Sequence, residues 1–195
     1  MIPVTPKPEP TNFDDAVRQP GRAFLVQNPH PKYNEWKSYW TRALDDLRTA
    51  HDGICAYSAT WIPHSVGSHS VDHFISKDAS PHLAYEWSNF RYASGRFNGR
   101  KGTKNVLDPF LIGTGWFQIN FNNMFIRPDP HLNDQQRREI LDTIDTLHLN
   151  SDDKLVEERI GYVENFRNGH ISFAYMQQKA PFIAFEMERQ GLYTP

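Results

Sequence analysis

The chain has 195 residues, a formal net charge of −2 and a pI of about 6.5. A near-neutral chain has no long-range attraction for a polyanion, so any contact with nucleic acid must come from a local patch. Hydrophobic residues make up 38% of the sequence, which suits one packed core. No apolar run approaches the roughly 20 residues of a membrane span, so we expect no membrane contact.

The N-terminus and the cysteine content predict a cytoplasmic protein. Residues 1–8 lack the apolar stretch of a secretory signal. The single cysteine, Cys55, can form no disulfide within the chain and cannot be half of a paired-cysteine zinc site.

The N-terminal part of the chain predicts an arm followed by a helix. Residues 1–31 contain seven prolines, which favour extended backbone and predict no regular helix. Residues 32–51 repeat aromatic and aliphatic side chains at helical spacing, and Asp52-Gly53 ends this predicted helix. Its aromatic residues could stack on nucleobases, but the spacing favours core packing.

The middle of the chain predicts two strands and a helix. Residues 54–75 are rich in β-branched and aromatic residues, broken by a proline and a glycine, which predicts an antiparallel hairpin. The pair Asp72-His73 falls late in its second strand. Residues 88–98 predict a helix with Ser88 as N-cap.

The C-terminal part predicts a second hairpin and several helices. Residues 116–121 alternate like a strand, and Asn122-Asn123 is expected to turn the chain into a second strand. Asn133-Asp134 and Ser151-Asp152-Asp153 are predicted to cap two helices, and Pro181 is predicted to open a last one.

The pair Asp72-His73 carries the most informative chemistry. His73 can accept a proton from water, because an imidazole with a pKa near ~6.5 is largely neutral at pH 7. Asp72 and Asn98 offer hard oxygen ligands that suit Mg²⁺ or Mn²⁺. Adjacent strand residues point to opposite faces, so Asp72 and His73 can serve one site only where the strand ends or bends. Asn89 could hold the hairpin in place by bonding to its backbone. These are the parts that hydrolysis of a phosphodiester needs.

A basic run follows this pair and predicts contact with phosphates. It contains five cations and no acidic residue, a local charge of +5 in a near-neutral chain. The cations are Arg91, Arg96, Arg100, Lys101 and Lys104.

The order of these residues resembles the three-part signature of the HNH endonucleases, the ββα-metal or His-Me finger fold. The resemblance covers about residues 54–104, and the residues that carry it are Asp72-His73, Asn89 and the Asn98-x-x-Lys101-Gly ending. It implies that His73 is the general base, that Asn89 braces the loop and that Asp72 and Asn98 hold the metal. It also implies that Lys101 lies near the phosphate.

The chain departs from many members of that family, which build a zinc knuckle from two Cys-x-x-Cys pairs. The corresponding positions here are Cys55, Ser58, Ser94 and Phe97, which cannot hold tetrahedral zinc. We therefore expect no structural zinc and expect Phe90, Tyr92, Phe97 and Trp61 to pack in its place. The arrangement of the whole chain resembles the HNH subunit of bacterial anti-phage systems of the Septu and retron kind.

The sequence thus predicts an α+β protein with a ββα-metal core inside a mainly helical frame. We expect a single domain made of an arm and helix (1–53), the nuclease core (54–104), and a hairpin with C-terminal helices packed on it (105–195). The expected activity is Mg²⁺- or Mn²⁺-dependent cleavage of nucleic acid, with DNA favoured and RNA as the alternative. Two other hypotheses stay open: a nuclease subunit gated by a partner such as an ATPase, and a non-catalytic HNH-like binding module.

Overall fold

The structure is a computed structural model and describes residues 1–193. Within these residues the protein is a mixed α+β chain with seven α-helices and two small two-stranded antiparallel sheets. The chain forms two compact units. The N-terminal unit comprises residues 5–55 and 62–103, and the C-terminal unit comprises residues 1–4, 56–61 and 104–195. The chain therefore passes between the units more than once. A single domain made of three consecutive segments stays a prediction.

Two helical segments lie in the N-terminal part of the N-terminal unit. A π-helical turn, Asp14–Arg18, continues into α1 (Gln19–Gln27). A 3-10 turn, Tyr39–Ala43, continues into α2 (Leu44–Ala50). The prediction that residues 1–31 exclude a regular helix is wrong, because Pro20 occupies the first turn of α1, where its missing N–H and fixed φ are tolerated.

A sheet and a helix follow in this unit and position the candidate site. Strand β1 (His69–His73) pairs antiparallel with β2 (Phe90–Ser94), so that His73 lies opposite Phe90. Helix α3 (Gly95–Lys101) follows β2 without a loop, and the Ser94 hydroxyl caps it by accepting from the Phe97 N–H.

This pairing corrects two predictions. The partner of β1 is not the segment before it in residues 54–68, and residues 90–94 form a strand where a helix was predicted. Strand β2 is buried at four of its five positions, so pairing with β1 and burial outweigh the N-cap signal at Ser88. The prediction that Asp72-His73 lies at the end of a strand is confirmed.

The aromatic residues expected to replace a zinc knuckle divide between the two units. Phe90, Tyr92 and Phe97 are buried in the N-terminal unit. Trp61 instead belongs to the C-terminal unit, where the Lys179 Nζ lies 3.6 Å from its ring centroid. Cys55 is buried as a free thiol.

The C-terminal unit follows its local sequence signals closely. The predicted hairpin is confirmed, as are the helix starts at the predicted caps and at Pro181. One short helix, α6, was not predicted. The elements are β3 (Phe117–Asn120), β4 (Phe125–Pro128), α4 (Asp134–Thr146), α5 (Asp153–Arg167), α6 (Phe173–Lys179) and α7 (Pro181–Arg189).

A buried carboxylate ties β3 to α7 in this unit. Glu186 is fully buried and accepts from the Ile119 backbone N–H at 2.9 Å. Arg189 donates two hydrogen bonds to the same carboxylate, at 2.7 and 2.8 Å. Because the charge is paired and hydrogen-bonded, it can be buried without a large penalty.

None of the helices in residues 1–193 is both long enough and apolar enough to cross a membrane.

Candidate functional site

The candidate site lies where β1 ends, in the N-terminal unit. Asp72 and His73 are the last two residues of β1, and Asp72 is opposite Arg91 in the sheet. Asp72 is 1% exposed, whereas His73 is partly exposed. The last two residues of the strand are thus a buried aspartate and a partly exposed histidine.

The imidazole of His73 is held in one orientation. Its Nε2 lies 2.8 Å from the backbone carbonyl of Ala84, and because a carbonyl can only accept, Nε2 carries the proton. The rings of Trp40 and Phe90 contact the imidazole edge to face, with centroids 4.8 and 5.3 Å away. This tautomer leaves the other ring nitrogen, Nδ1, as the acceptor.

Burial lowers the pKa of His73 to about 4. Desolvation is the main cause, and the positive charges of Lys77 and Lys101 act in the same direction, while the hydrogen bond to Ala84 opposes them. The imidazole is therefore neutral at pH 7, and its Nδ1 keeps a free lone pair there.

Asn89 fastens the loop that connects β1 and β2. Its Oδ1 accepts from the Ile75 backbone N–H at 2.8 Å, and its Nδ2 donates to the carbonyls of Ile75 at 2.9 Å and Leu83 at 3.1 Å. Its own backbone carbonyl accepts from the Phe74 N–H at 2.9 Å. Since Asn89 is only 4% exposed, these bonds are shielded from water, and they fix the loop that carries the Ala84 carbonyl.

Asn98 lies on α3 and faces β1. Its Nδ2 donates to the Ser70 hydroxyl at 3.1 Å and to the Val71 carbonyl at 3.3 Å. Within the described residues its Oδ1 accepts no hydrogen bond, so this oxygen is available as a ligand. Asn98 thus contacts the backbone of the residue that precedes Asp72.

Lys101, at the end of α3, lies against both residues of the Asp72-His73 pair. Its Nζ is 3.2 Å from Asp72 Oδ1 and donates to the His73 carbonyl at 2.8 Å. Both side chains of this ion pair are 2% exposed. Helix α3 ends directly after it at Gly102, whose φ of 50° is a conformation that glycine adopts easily.

Two of the five predicted phosphate-binding cations, Arg91 and Lys101, are buried. Arg91 is 3% exposed and donates to the carbonyls of Ser88 and Phe90. Lys101 is also buried. Arg96 is exposed and Arg100 partly exposed on α3, and Lys104 is exposed in the C-terminal unit. Phosphate contact by these three cations stays a prediction.

The oxygen donors of Asp72 and Asn98 are chemically suited to a hard divalent cation. Asp72 and Asn98 supply a carboxylate and an amide oxygen, the donors that Mg²⁺ and Mn²⁺ prefer, and Mg²⁺ commonly keeps several waters besides a few protein ligands. Residues 1–193 contain no group of three or more His, Cys, Asp or Glu side chains that could hold a metal ion. A cation at Asp72 would also have to share the carboxylate with the Lys101 ammonium.

Three features of the site were not assigned to it from the sequence. The Ala84 carbonyl is a backbone group and has no signal in the sequence. Trp40 has the spacing of a core residue, but it contacts His73. Lys77 follows β1 by four residues and was not singled out, although its charge acts on His73.

Comparison with known proteins shows a distant similarity to a curated bacterial protein. No protein-family model matches the chain. The chain is 30% identical over 111 residues to the Septu protein PtuB of Bacillus thuringiensis, a match that covers 54% of this chain. It spans only 40% of the length of that relative.

Proposed function

We propose that this protein is a metal-dependent endonuclease of the HNH type that hydrolyses phosphodiester bonds of nucleic acid as part of an anti-phage system. The observation that carries the proposal is the imidazole of His73, neutral at pH 7, with Nε2 donating to Ala84 and Nδ1 left to accept. Asp72, which precedes His73 in β1, and Asn98 on α3 are the proposed oxygen ligands. DNA is the favoured substrate and RNA the alternative.

In the proposed reaction, His73 Nδ1 takes a proton from a water molecule as the water oxygen attacks phosphorus. The bond from phosphorus to the 3′-oxygen then breaks, and the oxygen leaves with the negative charge. Asp72 and Asn98 would hold a Mg²⁺ or Mn²⁺ ion, which supplies stabilisation of the charge that develops on the phosphoryl and leaving oxygens.

Asn89 contributes by positioning. It holds the ends of the loop that carries the Ala84 carbonyl, and that carbonyl orients His73. A fixed imidazole needs no reorientation when the reaction begins, which lowers the cost of reaching the transition state.

The role in anti-phage defence is supported by the similarity to the Septu protein PtuB. Because the chain spans 40% of that relative, a shared activity is a proposal. A partner-gated subunit is the second candidate, with an ATPase as the proposed partner. The buried Lys101–Asp72 ion pair favours it, since this carboxylate is already neutralised by an internal cation in the resting chain.

The test is cleavage of supercoiled plasmid and of a mixed RNA pool by the purified protein with Mg²⁺ or Mn²⁺, and with EDTA. His73→Ala should abolish cleavage, while His82→Ala, an exposed histidine in the same loop, should leave it unchanged. Metal-dependent cutting that is lost only in His73→Ala supports the nuclease and identifies the nucleic acid.

A silent protein requires a second measurement, metal titration by calorimetry with Asp72→Ala as control. Binding that depends on Asp72 without cleavage supports the gated subunit. Neither binding nor cleavage would overturn the proposal and leave the non-catalytic binding module as the better account.

A further inference from the structure

An aromatic surface lies beside His73 and is not used by the proposed chemistry. Trp40 contacts the imidazole edge to face at 4.8 Å and remains partly exposed. Its ring is supported by Tyr85 at 5.7 Å and Trp36 at 6.4 Å. Trp36 itself is 9% exposed and donates its Nε1–H to Asp78 at 2.9 Å. Trp36 therefore serves the core, and Trp40 forms the boundary between the core and solvent.

A lysine of the β1–β2 loop lies among these rings. The Nζ of Lys77 is 5.7, 5.8 and 5.9 Å from the ring centroids of Trp36, Trp40 and Tyr33. An ammonium at such distances is attracted by the ring faces. At an exposed site this attraction is weaker than one hydrogen bond to a charged group. Lys77 can therefore be drawn from the rings by a phosphate.

Tyr33 extends this surface into solvent. Its side chain is 85% exposed, and within the described residues Lys77 is its only ring or charge contact. Tyr33 is thus a large exposed ring next to a cation. This combination is typical of surfaces that stack nucleobases and contact the backbone phosphate.

We propose that Tyr33, Trp40 and Lys77 form a recognition surface for an unpaired nucleotide next to the phosphate attacked at His73. A base inside a duplex is covered on both faces by its neighbours, so only a single-stranded or extruded base can stack on these rings. Lys77 contacts the adjoining phosphate. This inference rests on the proposed function and adds its substrate class: single-stranded or locally unpaired DNA or RNA.

The test measures binding separately from cleavage. Fluorescein-labelled single-stranded DNA, RNA of the same sequence and the matching DNA duplex are titrated with the protein in EDTA, with fluorescence anisotropy as the readout. We expect the single strand of DNA or RNA to bind about tenfold or more tightly than the duplex.

Two exposed or partly exposed positions give variants that should fold normally. Tyr33→Ala and Lys77→Gln should each weaken single-strand binding, Tyr33→Ala by about tenfold, as expected for the loss of one stacked base. The matched controls are Tyr175→Ala and Lys154→Gln, exposed residues of the C-terminal unit, which should bind like the parent protein.

Trp40 is tested with a conservative pair of variants, because it also packs against other rings. Trp40→Phe, which keeps a ring, should retain more binding than Trp40→Leu at equal thermal stability. Equal binding by all variants, tighter binding of the duplex, or no binding of any probe would overturn the inference.

These outcomes are separable from those of the nuclease proposal. Cleavage lost in His73→Ala without a preference for single strands refutes the recognition surface alone. Tyr33-dependent binding of single strands, with neither cleavage nor Asp72-dependent metal binding, refutes the catalytic role alone.

Discussion

Replacing Asn89 by alanine should release the loop between β1 and β2. The change removes three side-chain hydrogen bonds, one from the Ile75 N–H and two to the carbonyls of Ile75 and Leu83. At about 1 kcal/mol net for each bond, the loss is about 3 kcal/mol.

Amide hydrogen exchange at Ile75 measures this loss directly. A local destabilisation of about 3 kcal/mol corresponds to exchange faster by about 100-fold in Asn89→Ala. The Phe74 N–H bonds to the backbone carbonyl of Asn89, which the mutation keeps, and should be affected less. Asn105→Ala, an exposed asparagine of the C-terminal unit, is the control and should leave both amides unchanged.

Asn89→Asp gives the sharper comparison. Aspartate keeps the acceptor for the Ile75 N–H but turns a second oxygen toward the carbonyls of Ile75 and Leu83. The repulsion and the buried charge should make it at least as destabilising as alanine. Unchanged exchange at Ile75 in Asn89→Ala, or an aspartate variant as stable as the parent, would refute this account of the loop.

Three further predictions concern pH, the buried cation and the C-terminal unit. His73 and His51 are both desolvated, with pKa values of about 4 instead of 6.5, so the folded state binds their protons more weakly than the unfolded chain. Their stabilising effect is complete above pH 6.5 and is lost as the pH falls toward 4; the part due to His73 is on the order of 2–3 kcal/mol. Urea unfolding at several pH values measures it, and a denaturation midpoint that stays constant between pH 7 and pH 4 would contradict it. Lys101→Met leaves Asp72 without the ammonium and should destabilise the metal-free protein by about 3–5 kcal/mol. Millimolar Mg²⁺ should then raise the melting temperature of this variant more than that of the parent, and an added Asp72→Asn change should remove the response; equal responses in all three proteins would argue against a cation site at Asp72. Glu186→Ala should cost about 3–5 kcal/mol, because it orphans the groups that the carboxylate accepts from, and Glu186→Gln less. Guanidinium unfolding measures the stability of both variants, and two variants as stable as the parent would contradict this prediction.

The candidate site could be anticipated in part because its residues are close in sequence. The interval from Asp72 to Lys101 holds the carboxylate, the imidazole, both asparagines and the lysine, and β1, β2 and α3 bring them together. The contacts that these residues make could not be predicted from their order in the sequence. The burial of Arg91 and of the Lys101–Asp72 pair depends on the packing of α3 against the sheet. The orientation of His73 depends on a backbone carbonyl, which every residue possesses.

The amino-acid sequence by itself determined the features that local interactions decide. The caps at Asn133 and Asp152, the helix start at Pro181 and the turn at Asn122-Asn123 are formed by residues a few positions apart, so their signals are complete within a short window. Only the tertiary structure decided that residues 90–94 form a strand and that the ring of Trp40 contacts the imidazole of His73 edge to face. Those outcomes depend on which distant segment covers each surface, and the free energy of that burial outweighs local propensity.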